Sequence, residues 1–324
     1  MRLTREIPVP TSVSAHAQAV MEAGCANVTD RLANPPEVPA LDDTEAWRAR
    51  IAATDELMVL AFAGRVDESA FRFDERDVAG VRVHEITPHD ASDVEAAPLL
   101  LDIHGGALVG GGGEAGRLMS AISAQRAGLR TWGVDYRMPP DHPYPAPLDD
   151  CFAVYSALLE TTPAEQVVVA GASAGGNLAA AMLLRARDAG LPMPGALVLL
   201  SPEVDLTESG DTFATNVGVD YVLVDGLGAS IALYAGDRDL TDPLLSPLFG
   251  DLSGFPPTFL QSGTRDLFLS NTVRMHRRLR DFGVDAELHV WEAMPHGGFF
   301  GAAPEDEQVG KELERFLART VKRA

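Results

Sequence analysis

The sequence predicts an α/β fold, a mostly parallel sheet covered by helices on both faces. Three observations carry this. From about residue 78 onward, short apolar runs alternate with segments of helical period, the rhythm of strand-helix units. Two of those runs, APLLLDIHGG (97–106) and QVVVAGAS (166–173), are continuously apolar and stopped by small residues, as strands buried on both faces require. The first 75 residues read differently, with helical patterns, loop signals and no clear strand.

The elements follow in order. A helix is predicted over about 12–25 and a second over about 42–64, with Asp43 or Thr44 as its cap. Asn34-Pro35-Pro36 separates them as a loop. VRVHEITP (81–88) alternates as a half-exposed strand, and APLLLDIHGG is the next strand. A helix over about 115–127 leads to the strand LRTWGVDY (129–136), and LDDCFAVYSALLE (148–160) is helical. QVVVAGAS passes directly into an Ala- and Leu-rich helix over about 174–189. GALVLLSP (195–202), PTFLQSG (257–263) and AELHVWE (286–292) are further strands, with helices over about 268–282 and 305–322. Residues 203–250 interrupt the rhythm, with DYVLVDGLGASIALYAG read as a helix followed by a Pro- and Asp-rich loop. The chain therefore divides into a helical segment (1–75) and an α/β domain (76–324) carrying an insertion at about 203–250, the first and last of which could together form a lid. The insertion falls between two strands, which places it above the strand ends.

The chemistry begins at Gly171-Ala172-Ser173-Ala174-Gly175. A strand, then Gly-x-Ser-x-Gly, then a helix is a nucleophile elbow. The turn is so tight that the residues two before and two after the serine must be nearly bare, and the helix behind it offers free N–H groups to developing negative charge. A small-residue turn that merely lets helix and strand pack closely would use the same letters. A serine also needs a base, an orienting carboxylate and oxyanion donors. His104-Gly105-Gly106 at a strand end supplies accessible backbone N–H groups; with that of Ala174 they make a three-donor oxyanion hole. His104 is read as structural, and the run Gly110–Gly113 as a flexible loop over the site. In this fold class the order is serine, acid, histidine. His276 lies within a helix and His289 mid-strand, whereas His296 lies in a Pro/Gly loop just past a strand end and is the base. Asp266 is the acid, because it ends the strand immediately before the one that leads to His296; Asp205 is its serious rival, and Asp237, Asp239 and Asp242 read as loop or cap residues.

Together these pieces resemble the hormone-sensitive lipase family of α/β-hydrolases, in its bacterial carboxylesterase branch, over roughly residues 78–322. HGGA (104–107), DYRMPPDHPYPAPLDD (135–150), GASAGG (171–176) and SPEVDLT (201–207) carry the resemblance. It implies a twisted α/β-hydrolase sheet of about eight strands with a helical cap. Its triad falls on Ser173, Asp266 and His296, and its oxyanion donors on Gly105, Gly106 and Ala174. Three positions depart from the family pattern. Ala107 stands for a third glycine, Ala172 for the usual Asp, and Glu203 where a Trp is frequent. Glu203 is therefore a candidate pocket residue: facing substrate it would favour polar or cationic groups, and pairing with an arginine or solvation are the alternatives. The implied activity is hydrolysis of short-chain carboxylic esters through an acyl-enzyme. The same triad would serve a lactone or amide hydrolase or an acyltransferase. The fold also serves as a non-hydrolytic small-molecule receptor, as in the gibberellin receptors, but those lack the triad histidine that His296 supplies here.

Composition sets outer bounds. The formal charge of −21 argues against nucleic acid and anionic membrane surfaces, which select basic patches. No stretch reaches the roughly 18 apolar residues of a membrane span. The N-terminal residues lack the apolar core of a secretory signal, and two cysteines far apart, Cys25 and Cys151, suit a reducing compartment. The expectation is a cytoplasmic protein. No His/Cys/Asp cluster has ligand spacing, so no metal or other cofactor is implied. The partner is a small-molecule ester or lactone, and a homodimer is compatible with the sequence.

Overall fold

The computed structural model describes residues 6–89 and 98–321. Among these, eight strands form one sheet: β1 (Phe71–Val78), β2 (Val81–Pro88), β3 (Leu99–Ile103), β4 (Arg130–Asp135), β5 (Val167–Ala172), β6 (Ala196–Leu200), β7 (Thr258–Gly263) and β8 (Ala286–Trp291). Their order is β1-β2-β4-β3-β5-β6-β7-β8. Only β1 with β2 and β2 with β4 pair antiparallel; every other pair is parallel. The first residue of the strand expected at 97–106 and the last of the helix expected at 305–322 lie outside the described residues.

The central strands alternate their side chains between two cores. Leu101, Val169 and Leu199 face one side, where they join Leu178 and Met182 of α6 (Ala174–Asp188), which follows α4 (Glu114–Ala127) and α5 (Ala146–Leu158), and Met275 and Leu279 of α9 (Leu269–Asp281). Leu100, Val168, Val198 and Phe259 face the other, against Leu313, Phe316 and Leu317 of α10 (Pro304–Thr320). Covering both faces explains the unbroken apolar runs.

β1 departs from the sequence expectation and spans the boundary placed at residue 75. FRFDERDV is too charged to read as a strand, yet most of it is exposed. An edge strand with one solvated face tolerates that pattern, and charges there oppose edge-to-edge aggregation. Its pairing is set by the two-residue turn Ala79-Gly80, both at positive φ (53° and 82°), the backbone a tight hairpin demands.

The cap comprises the N-terminal helices α1 (Ala15–Cys25), α2 (Val28–Ala33) and α3 (Thr44–Phe62); the segment inserted after β6 packs against it. Ser14 caps α1 through Ala17 N–H at 3.1 Å and donates its hydroxyl to Glu305 at 2.8 Å, docking α1 on α10. Val13, Ala17, Met21 and Val28 pack with Tyr221 and Val224 of the insertion and with Met294 and Phe299 beside His296. The N-terminal cap and the insertion thus share one small core with the loop after β8. The insertion holds α7 (Thr212–Thr215), α8 (Gly228–Ala235) and a 3-10 turn at Pro247–Phe249, where a longer helix was expected from residue 220. Asp220 breaks it: its side chain accepts from Val222 N–H (2.9 Å) and Leu223 N–H (3.2 Å), a turn that competes with helix continuation. Both cysteines are free thiols. No helix among the described residues is long and apolar enough to cross a membrane.

Candidate active site

β5 delivers Ser173 at φ 56° and ψ −123°, between the last strand residue and the first turn of α6. Few non-glycine residues tolerate that backbone. It is held by Ser173 N–H to Leu200 O at 3.0 Å and by Glu203 N–H to Ser173 O at 3.0 Å. The flanking glycines are a steric necessity. A Cβ on Gly171 would fall onto the Gly175 carbonyl, and one on Gly175 onto the Ile103 carbonyl. The small-residue motif is therefore an elbow, with the serine placed at the end of a central strand.

The N–H groups of Gly105, Gly106 and Ala174 donate to no protein acceptor among the described residues. Gly105 lies against Ser173, with its added Cβ position 3.2 Å from Ser173 Cβ, so the donors of the β3 loop flank the serine. His104 shapes this loop. Its ring stacks on Tyr136 at 4.1 Å and its Nδ1 donates to Gly105 O at 2.8 Å. Burial pushes its pKa down to about 4, so the ring is neutral. Tyr136 Oη donates to His104 O at 2.8 Å, which ties the DYR stretch to the same loop. The Gly110–Gly113 run is pinned where a free flap was expected. Gly111 N–H donates to Asp55 Oδ1 of α3 at 2.7 Å and Gly113 N–H to Asp135 Oδ1 at 2.9 Å.

Asp266 and His296 meet. His296 Nδ1 donates to Asp266 Oδ1 at 3.1 Å, which leaves Nε2 as the unprotonated nitrogen of the neutral ring. Asp266 is fully buried and also accepts from Phe268 N–H (2.8 Å) and Ser262 Oγ (2.6 Å). Burial acts to raise its pKa, but His296 and these donors outweigh it and hold it below the usual carboxylate value. For His296, burial lowers the pKa, while Asp266 and Asp220 raise it further, leaving it above the usual histidine value. The rival acid Asp205 is engaged elsewhere, accepting from Thr207, Ser209 and Arg274 Nη1 at 2.5 Å. Asp239 and Asp242 cap turns through Thr241 and Leu244. His289 stacks between Phe259 and Trp291, and His276 Nε2 bonds Ala286 O at 3.2 Å.

Glu203 is neither solvated nor paired with an arginine. Its side chain is 1% exposed and Oε2 has no hydrogen-bond partner. Burial, helped by Glu208, pushes its pKa up to about 8. Below that value it is an uncharged acid. A stability prediction follows from the sign. The folded pKa exceeds the unfolded one, so the wild type loses roughly 1.4 kcal/mol per pH unit between the unfolded value and the folded value of about 8. Thermal unfolding of Glu203→Gln should lack that decline, and a wild-type Tm that stays flat relative to the variant from pH 5 to 9 would refute it. Among the described residues, no three His, Cys, Asp or Glu side chains gather as a metal site.

Sequence reasoning missed three residues of the insertion that hold the acid loop. Thr212 Oγ1 donates to Leu267 O at 2.7 Å, and Asn216 Nδ2 to Asp266 O at 2.9 Å. Asp220 Oδ2 accepts from Leu267 N–H at 2.9 Å and His296 N–H at 3.1 Å. The available signal was Asp220 itself, a lone acid in the apolar run Val217–Val224 broken otherwise only by glycine and tyrosine. A buried charge of that kind implies partners.

Comparison with known proteins places the fold. A family model described as alpha/beta hydrolase fold matches residues 100–300. An esterase of Acinetobacter venetianus is 35% identical over 220 residues, 67% of this chain and 71% of its own length. The crystal structure of an esterase from the bacterial hormone-sensitive lipase family superposes with TM-score 0.78 at 31% identity, covering 94% of this chain and 99% of that one. The chain belongs to the hormone-sensitive lipase family of α/β-hydrolases. Within it, the crystal structure of esterase E25 matches with TM-score 0.92 at 39% identity over 99% of both chains. The protein is accordingly a carboxylesterase-type hydrolase.

Proposed function

We propose that this hydrolase cleaves short-chain carboxylic esters by a Ser173–His296–Asp266 relay through an acyl-enzyme. The observation that carries the reading is the buried His296–Asp266 hydrogen bond at 3.1 Å, built on the loops that follow β8 and β7, with a strained serine at the end of β5. His296 Nε2 takes the proton from Ser173 Oγ as the oxygen attacks the ester carbonyl carbon. The carbonyl oxygen becomes an oxyanion that receives the N–H groups of Gly105, Gly106 and Ala174. Collapse of the tetrahedral intermediate breaks the bond to the alcohol oxygen, which leaves with the proton from His296. Water, deprotonated by the same nitrogen, then attacks the acyl carbon; the bond to Ser173 Oγ breaks, the oxygen regains the proton from His296, and the carboxylic acid leaves. Asp266 holds the ring tautomer and stabilises the imidazolium. Glu203, whose backbone N–H binds Ser173 O, is read as part of the pocket wall. Two free thiols support a reducing compartment.

The test is hydrolysis of p-nitrophenyl esters from acetate to decanoate. Turnover concentrated on the short acyl chains is expected. A protein inactive across the series that still binds small esters would overturn the reading.

A further inference from the structure

We propose that Asp220 is a positioning residue for ester hydrolysis: from the cap insertion, one carboxylate ties the loop of the acid to the loop of the base. The inference rests on the triad reading above and goes beyond it.

Asp220 is fully buried and accepts four backbone N–H groups. Two, from Val222 and Leu223, are local. The other two belong to the residue that follows Asp266 and to His296 itself, at 2.9 and 3.1 Å on the same oxygen. A shift of that oxygen therefore moves both ends of the His296–Asp266 bond. The insertion is built to place it. Asn216 N–H bonds Thr212 O at 2.9 Å and Asp220 N–H bonds Asn216 O at 3.0 Å. Two successive helical turns thus bring Thr212, Asn216 and Asp220 to one face. All three side chains bond the acid loop.

Asp220 also acts through charge. Its ionised carboxylate adds to that of Asp266 in stabilising the His296 imidazolium. The other titratable groups that face it are Asp266 and His296 on the two catalytic loops, Cys25 at the end of α1 and its neighbour Tyr221; Arg265 lies beyond, near Cys25 and Tyr221. Burial raises both the thiol and the phenol, so these two stay neutral through the working range. Burial and Asp266 push Asp220 up to about 6, and above that pH it is charged.

The Asp220→Asn variant separates positioning from mere scaffolding. Asn keeps the size, but its amide nitrogen turns N–H toward N–H on one side. We expect kcat to fall roughly tenfold to a hundredfold, KM to stay within about threefold, and the acid limb of kcat/KM to move to lower pH as His296 loses a negative neighbour. An unmoved acid limb, or a lower Tm with kcat unchanged, would overturn the proposal. Should the variant fail to fold, the wild-type His296 ring is followed by NMR. Its main titration should lie above the usual histidine value, with a second inflection near pH 6 from Asp220; a single ordinary titration would overturn it. Ser173→Ala and His296→Ala run alongside. If either keeps wild-type activity, the triad reading itself fails. If both are inactive while Asp220→Asn matches wild type, only the Asp220 inference fails.

Discussion

Ser173→Ala is expected to lower kcat on p-nitrophenyl acetate by about a million-fold and to abolish the acyl burst. The variant loses the atom that accepts the acyl group, and no other nucleophile lies in the elbow. Binding should survive, because the donors of Gly105, Gly106 and Ala174 are backbone groups the substitution leaves in place. A residual rate roughly 10³–10⁴-fold above that of water is therefore expected. The double variant with His296→Ala should be no worse than either single one, since serine and histidine act as a unit. A variant within tenfold of wild type would show that another residue attacks.

Asp266→Asn should cost about 10⁴-fold in kcat at neutral pH. Oδ1 receives the Nδ1 proton of His296 at 3.1 Å. An amide nitrogen there would turn the ring to the tautomer that protonates Nε2 and removes the base. The pH dependence follows from the shifts. His296 must be neutral to act, and its pKa is held above the ordinary value by Asp266 and Asp220 against burial. Wild-type kcat/KM should rise with pH through that raised value, and the Asn variant should rise at lower pH to a far lower plateau. Stability carries the same signature. The raised His296 pKa stabilises the fold fully below the unfolded histidine value and less as pH climbs through the folded one. The depressed Asp266 pKa stabilises above the unfolded carboxylate value, and that is lost as pH falls through the folded one. The substitution should therefore lower Tm more at pH 6 than at pH 9, and an equal drop at both would contradict it.

The legible parts of this molecule share one property: local sequence carries them. The runs around Leu99, Val167 and Ala196 read as buried strands because both faces are covered. Gly171 and Gly175 mark the elbow because the next carbonyls leave no room for a side chain. Asp266 and His296 could be paired from their places at successive strand ends. β1 was missed because its charges are those of a solvated edge, and a strand there is defined by its partner β2 and the turn at Ala79-Gly80. The glycine run at 110–113 looked loose because nothing in it shows that Asp55, far away in sequence, accepts from Gly111.

The sequence by itself determined the alternation of strands and helices and the elbow turn, and it brought forward Ser173, Asp266, His296 and the glycines at 105 and 106 as candidates. Each is written in backbone requirements confined to a few neighbouring residues. Only the tertiary structure decided that Glu203 is buried, that Asp205 belongs to Arg274, and that Asp220 accepts from the N–H groups of both Leu267 and His296. Those roles depend on which groups share a buried space, and burial sets both the protonation state and the need for a partner.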